Sequence, residues 1–224
     1  GRRLVVFGRT VKQAPQMKLS VEDALVVVDI QYDFLPGGSL AVAGGNEIIE
    51  PVNALARKFH NVVQTQDWHP ADHISFASNH PGMEPFQTIE LPYGTQVLWP
   101  DHCVIGTKGA QFSIALDIPQ VQTIVRKGYR ETIDSYSAFK ENDHKTATGL
   151  AGYLRERGIK RIFVVGLATD FCVAWTAEDG MELGFEAAVI EDATRAINTN
   201  GSLETAWSRM AAAGVRRLQL KDFS

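Results

Sequence analysis

Cys172 closes the run Phe163-Val-Val-Gly-Leu-Ala-Thr-Asp-Phe-Cys172, where an apolar, strand-like stretch gives way to an amphipathic helical pattern. A thiol in the first turn of a helix faces unpaired backbone N–H groups and the positive end of the helix dipole, both of which favour thiolate over thiol. That placement makes Cys172 a candidate nucleophile. Alone, a cysteine in a helix reads first as a small buried hydrophobe, so the assignment depends on its company.

Two further groups supply that company. Asp29 ends the apolar run Leu25-Val-Val-Val-Asp29, and an ionised carboxylate there is costly unless a cation pairs with it. Lys127, at the end of Val121-Gln-Thr-Ile-Val-Arg-Lys127, is the natural partner. Beside the thiol, such a pair keeps Asp29 charged, able to accept the Cys172 proton. Taken singly, each is equally a surface charge at a strand end. The second group is metal-ligating. Asp67-Trp-His69 puts a carboxylate and an imidazole two apart in extended chain, on one side of it. His102 closes the set, with His73 as a fourth ligand or a group behind the ligands. Mixed Asp/His ligation suits a divalent zinc, iron or manganese ion. The alternative is that these are solvated loop histidines; His60, His80 and His144 have no partners in the pattern and stay unassigned.

The elements that must position these residues alternate between strand and helix. Strands are expected at Leu25–Asp29, Asn61–Asp67, Val121–Lys127, Arg161–Gly166, Glu186–Glu191 and Val215–Leu220. Helices are expected over Asn46–Phe59, Lys145–Arg157, after Asp170, and over Ser202–Ala213. This alternation predicts an α/β fold: a three-layer αβα sandwich around a mainly parallel central sheet. Asp29, Asp67, Lys127 and the Leu167-Ala168-Thr169-Asp170 turn each end a strand, and chemistry in such sheets lies beyond the carboxyl ends of the strands. Residues 68–118, rich in Pro, Gly, His and Asn, break the alternation, and long irregular segments of this kind are usually functional.

A chain of 224 residues with 45% hydrophobic content and a net charge of −4 describes one ordinary globular domain, read here as residues 17–224. Residues 1–16 read as a tag scar or an over-long gene start, with a native extension as the alternative. The mildly acidic balance offers no basic patch for nucleic acid. No apolar run approaches the roughly 20 residues a membrane-spanning helix needs. Two cysteines argue against a disulfide framework and point to a reducing compartment, the cytoplasm. Monomer and homo-oligomer are equally open.

Several strings taken together resemble the nicotinamidases of the isochorismatase-like cysteine hydrolase superfamily. They are Val28-Asp-Ile-Gln-Tyr-Asp-Phe34, Gly37-Gly-Ser-Leu-Ala-Val42, Gln66-Asp-Trp-His-Pro70, Trp99-Pro-Asp-His-Cys103, Arg126-Lys-Gly128, Asp134-Ser-Tyr-Ser-Ala-Phe139 and Gly166-Leu-Ala-Thr-Asp-Phe-Cys172. The resemblance runs in order from about Ala24 to Leu220. It implies the isochorismatase-like hydrolase fold, an Asp29–Lys127–Cys172 triad, and a divalent metal on Asp67, His69 and His102, with His73 direct or through water. It further implies a cis peptide between Leu167 and Ala168, oxyanion donors at the N–H groups of Ala168 and Cys172, and a substrate pocket formed by Phe34, Trp99, Tyr136 and Leu167. The implied reaction is hydrolysis of nicotinamide to nicotinic acid and ammonia, with the metal on the ring nitrogen and pyrazinamide as a further substrate. An isochorismatase or a metal-free carbamoyl amidase of the superfamily would share Asp29 but not need Asp67, His69 and His102 together. A nucleotide-binding module would want a G-x-G-x-x-G turn after its first strand, where Asp29-Ile-Gln31 stands instead. A catalytically silent protein with a structural metal would tolerate loss of Cys172.

Overall fold

The computed structural model describes residues 16–224; the reading of residues 1–16 therefore falls, Gln16 apart, outside the described residues. Numbered along the chain, the strands are β1 (Asp23–Val28), β2 (Asn61–Asp67), β3 (Thr88–Leu91), β4 (Gly94–Val97), β5 (Val121–Lys127), β6 (Arg161–Leu167), β7 (Glu186–Arg195) and β8 (Arg216–Leu218). The helices are α1 (Ile49–Ala56), α2 (Leu150–Glu156), α3 (Ala174–Glu182) and α4 (Ser202–Ala212).

β1 is central because every one of its residues is buried, as a parallel strand covered on both faces requires. Leu25 and Val27 pack on one side with Ile49, Val52 and Leu55 of α1. Ala24, Val26 and Val28 pack on the other with Leu154 of α2, Ala177 of α3 and Met210 of α4. The three layers expected from the sequence follow from this two-sided burial. The strand order is β5-β2-β1-β6-β7-β8, all pairs parallel. The chain thus builds outward from β1 in one direction, then returns beside β1 and builds in the other. Such a reversal leaves a crevice at the carboxyl ends of the two strands flanking it, here β1 and β6, the strands that deliver Asp29 and Cys172.

Register does the rest. Val28 pairs with Thr65 on β2 and with Gly166 on β6, and Asp67 pairs with Lys127 across β2 and β5. All the strand-end residues singled out by sequence therefore leave the sheet at one edge.

Three expectations need correction. The helix expected from Lys145 begins at Leu150. The Asp143 carboxylate accepts hydrogen bonds from the Lys145 and Thr146 backbone N–H groups at 3.0 and 2.9 Å, a local turn that competes with helix. β7 runs on to Arg195 rather than ending at Glu191, after a register shift beside Gly166. The irregular segment contains the β3–β4 hairpin, is braced within itself by short bridges from His69 to Val104 and Phe76 to Trp99, and is tied by a bridge from Phe112 to Gln31, just beyond β1. Among the described residues no helix is long and apolar enough to cross a membrane.

Candidate active site

At the crevice, the Lys127 ammonium is the hub. Its three N–H groups are shared among four acceptors, Asp29 Oδ2 at 2.8 Å, Asp67 Oδ1, the Ser135 carbonyl at 3.1 Å and Cys172 Sγ at 3.3 Å. Lys127 and Asp29 are fully buried, and the carboxylate oxygens of Asp29 and Asp67 and the Cys172 sulfur lie within 4.8 Å of one another. Thr65 Oγ1 donates to the other Asp29 oxygen at 2.6 Å. Burial depresses the ammonium, but two carboxylates outweigh it and hold Lys127 well above the ordinary lysine range. Burial, seconded by the Asp67 charge, raises the Asp29 carboxyl despite Lys127. Asp67 goes the other way: against its burial, the Lys127 ammonium holds it well below the usual range.

The expectation of a helix-favoured thiolate does not hold for the resting site. Cys172 lies in a widened π-type turn, Thr169–Val173, ahead of α3. Burial pushes its thiol well above the ordinary value, and the two carboxylates oppose the help that Lys127 gives. The group present at rest is a neutral thiol beside a carboxylate made more basic by its surroundings, an arrangement for proton transfer as the sulfur attacks.

The second cluster adjoins the first through Asp67. His69 Nδ1 lies 2.8 Å from the Gly128 carbonyl and His102 Nδ1 2.8 Å from the Pro100 carbonyl. A carbonyl can only accept, so each Nδ1 carries a proton and Nε2 is the ligand atom of the neutral ring; at His69 burial is outweighed by the Asp67 and Asp134 carboxylates, which raise the imidazole. Both Nε2 atoms face Asp67 Oδ2, at 3.6 and 3.7 Å. His69 Nε2 is buried and has no hydrogen-bond partner among the described residues, a costly arrangement unless a ligand completes it. Three ligand atoms within 4.8 Å of one another, with the rings oriented from behind by carbonyls, fit a divalent metal. His73 is brought alongside, its ring 4.5 Å from that of His69, but both its nitrogens are occupied. Nδ1 accepts from the Ser75 N–H at 3.1 Å, and Nε2 donates to the Ile133 carbonyl at 3.1 Å. Burial lowers its pKa against the pull of the Asp134 carboxylate. Both His73 nitrogens thus face protein partners, although His69, His73 and Asp134 also present ligand atoms within 4.8 Å of one another.

Gly128 shows how tightly the cluster is packed. Its φ of 76° lies in the left-handed region, and a Cβ there would overlap the His69 ring. Gly128→Ala is expected to weaken metal affinity about 10- to 100-fold, the usual cost of disturbing a group behind a ligand; retention of bound metal after dialysis against graded chelator measures it.

A narrow cavity of about 20 Å³ opens onto both clusters, with Phe34, Trp99, Tyr136, Ala168 and Phe171 in its walls and Asp67, His102 and Cys172 exposed to it. The Phe171 ring stands edge-on to Trp99 at 5.0 Å and to Tyr136 at 5.5 Å, making an aromatic slot suited to a flat ring. The Leu167–Ala168 peptide is cis. Leu167 itself, expected in the pocket, packs into the core on the α1 side and meets the site only through that peptide.

Four contributors went unread in the sequence. Thr65, polar in a buried strand and two residues before Asp67, carried a usable signal. Gln31 carried less: its side chain clamps the end of β2, donating to Asp67 O at 2.8 Å and accepting from Asp67 N at 2.9 Å. Asp134, whose carboxylate lies 3.9 Å from His69 Nε2, opens one of the strings that carry the resemblance but was given no role. Asp170 accepts from Ile197 N, Asn198 N and Ser202 Oγ at 3.0, 2.8 and 2.5 Å, tying the nucleophile's turn to the loop that brings Ile197 to the cavity.

Comparison with known proteins places this geometry in a group. The family profile described as Isochorismatase domain matches residues 23–222. The chain is 57% identical over 207 residues to the nicotinamidase of Acinetobacter baylyi, covering 92% of this chain and 97% of that protein. Its structure is similar to that of an Acinetobacter baumanii nicotinamidase and pyrazinamidase, with a TM-score of 0.91, 59% identity, and coverage of 92% and 100% of the two chains. It is similar also to the pyrazinamidase of Pyrococcus horikoshii in complex with zinc, with a TM-score of 0.73, 37% identity, and coverage of 88% and 99%.

Proposed function

The chain belongs to the isochorismatase domain family, and from that premise we propose that it is a metal-containing cysteine amidohydrolase that converts nicotinamide to nicotinic acid and ammonia through a thioester. The observation that carries this reading is the Lys127 ammonium joining Asp29 and Cys172, at 2.8 and 3.3 Å, at the base of an aromatic cavity.

An amide resists hydrolysis because its carbon is a weak electrophile and its nitrogen a poor leaving group. The residues at the cavity answer both difficulties. Asp29, its carboxyl raised by burial and by Asp67, takes the Cys172 proton as the sulfur bonds to the carboxamide carbon. Lys127 holds Asp29 in place and stabilises negative charge as it passes from carboxylate to sulfur. The backbone N–H groups of Ala168 and Cys172 are the donors proposed for the oxyanion, worth a few kcal/mol each. Asp29 then returns the proton to the nitrogen, the C–N bond breaks, and ammonia leaves the acyl group on sulfur. Water, deprotonated by Asp29, attacks the thioester; nicotinic acid departs and Cys172 recovers its proton.

Phe34, Trp99, Tyr136 and Phe171 hold the ring flat, so that the carboxamide meets the sulfur in one orientation. Asp67, His69 and His102 would hold a divalent ion, zinc or iron before manganese, which supplies a Lewis-acidic position for orienting a nitrogen or oxygen ligand. Pyrazinamide, also a flat azine carboxamide, fits the same requirements. The free, buried state of Cys103 and Cys172 accords with a cytoplasmic setting.

The test is ammonia release from nicotinamide. The metal-loaded protein is expected to turn nicotinamide over, to lose at least tenfold in rate on chelation, and to recover on addition of zinc or iron(II). A metal-loaded, folded protein that releases no ammonia overturns the reading, and indifference to chelation removes the ion from it.

A further inference from the structure

The β3–β4 hairpin lies in the segment that sequence patterning leaves irregular, and one of its side chains is out of character. Gln96 of β4 is only 1% exposed, on a hairpin whose other residues are largely exposed or half-buried. Its amide is fully engaged. The two N–H groups of Nε2 are shared among three acceptors, Val97 O at 2.8 Å, Asp134 Oδ2 at 3.1 Å and the Tyr136 hydroxyl at 3.0 Å. Oε1 accepts from the Tyr93 hydroxyl at 2.9 Å and from Asn142 Nδ2 at 3.2 Å. The orientation of the amide follows from its partners, since the carbonyl and the carboxylate only accept and the Asn142 amide nitrogen only donates.

Gln96 does not itself line the catalytic cavity, but what it holds does. The Tyr136 hydroxyl that it addresses also accepts from Trp99 Nε1 at 3.2 Å, so one amide bears on two of the cavity's aromatic walls. Asn142, the other end of the network, accepts from the Tyr136 backbone N–H at 3.1 Å, which fixes the same residue from its main chain. Without the Gln96 amide the Tyr136 hydroxyl loses one of its two donors and keeps only Trp99 Nε1.

We propose that Gln96 is the positioning residue that sets the aromatic wall of the substrate cavity, acting through the Tyr136 hydroxyl, and thereby sets substrate affinity rather than the chemical step. The inference rests on the nicotinamidase reading and deepens it. Asp29, Lys127 and Cys172 make no hydrogen bond with Gln96, so their proton transfers proceed without it.

The experiment is a two-residue cycle on the metal-loaded enzyme with nicotinamide as substrate. Gln96→Leu keeps a buried side chain of similar reach but no amide; it is expected to raise KM about tenfold with kcat within threefold of the parent. In a Tyr136→Phe background, which lacks the hydroxyl, the same change is expected to raise KM by less than threefold further, because coupled residues are not additive. A role in folding alone lowers the melting temperature and leaves KM of the folded enzyme in place. If Gln96→Leu does not fold, Tyr93→Phe, which removes a donor to Oε1 from the half-buried end of the network, is expected to raise KM at least twofold. Unchanged KM in the folded variant, or an equal rise in both backgrounds, overturns the proposal. Absence of turnover in the parent enzyme instead overturns the reading on which it rests.

Discussion

Cys172→Ala is expected to lower ammonia release from nicotinamide by a factor on the order of 10⁴ or more while leaving the protein folded. The two halves of this expectation have separate grounds. Lys127 Nζ keeps three other partners when the sulfur is removed, Asp29, Asp67 and the Ser135 carbonyl, so no buried charge is stranded. The lost volume is one sulfur atom at the edge of an existing cavity, a small cavity term against the total stability. Chemistry has no such reserve. The carboxylates are engaged by Lys127, and among the described residues the other cysteine, Cys103, is buried outside the cavity, its thiol pushed well up chiefly by burial. Rapid acid quenching of the parent enzyme during turnover is expected to trap a nicotinoyl group on Cys172, seen by peptide mass spectrometry, and the alanine variant to show none. Ammonia release by the alanine variant at even a hundredth of the parent rate would remove Cys172 from the mechanism.

Lys127→Met is expected to be the most damaging substitution in the molecule, because it costs stability and activity together. It leaves two carboxylates, Asp29 and Asp67, buried side by side with no ammonium. Breaking a buried ion pair from one side costs about 3–5 kcal/mol, a fall in melting temperature on the order of 10 °C for a chain of this size. The pH dependence has a definite sign. In the parent, Asp67 sits well below the usual carboxylate range, so it contributes stability that is complete above about pH 4 and is lost as the pH falls through its folded-state value. In the variant one carboxyl of the pair keeps its proton well above pH 4, and the penalty of burying both as anions disappears on acidification. The gap in melting temperature between the two proteins is therefore expected to be widest near neutrality and to narrow toward pH 4. Activity is expected to fall at least 10³-fold, since a protonated Asp29 cannot take the thiol proton. Lys127→Arg should not restore it: the planar guanidinium is larger and cannot place one nitrogen among four converging partners. A variant as stable as the parent at pH 7 would show that the carboxylates are compensated by some other group.

How much of this was open to reading in the residues depends on whether the signal was local. Asp29, Asp67 and Lys127 each end a strand, and a charge at the end of an apolar or strand-patterned run is visible without knowing what faces it. The β-period put Asp67 and His69 on one side of the chain, and the apolar run of β1 announced burial on both faces. Gln96 and Asp134 gave no such sign. One is a glutamine in an exposed-looking hairpin, the other an aspartate in a polar loop, and each matters only because the chain returns from a distance to meet it.

By itself, then, the sequence determined the layered fold, the edge of the sheet that carries the chemistry, and the residue types able to perform it, because hydrophobic periodicity and strand termini are properties of neighbouring residues. The tertiary structure decided which atoms are free to react. The carbonyls of Gly128 and Pro100 direct the proton of His69 and His102 to Nδ1 and leave Nε2 for an ion, whereas Ser75 and Ile133 use up both nitrogens of His73. Two carboxylates and burial make Cys172 a thiol at rest rather than a thiolate. Protonation and tautomer are set by the dielectric and by hydrogen-bond partners within a few ångströms, and those partners come from segments far apart in the chain that only folding brings together.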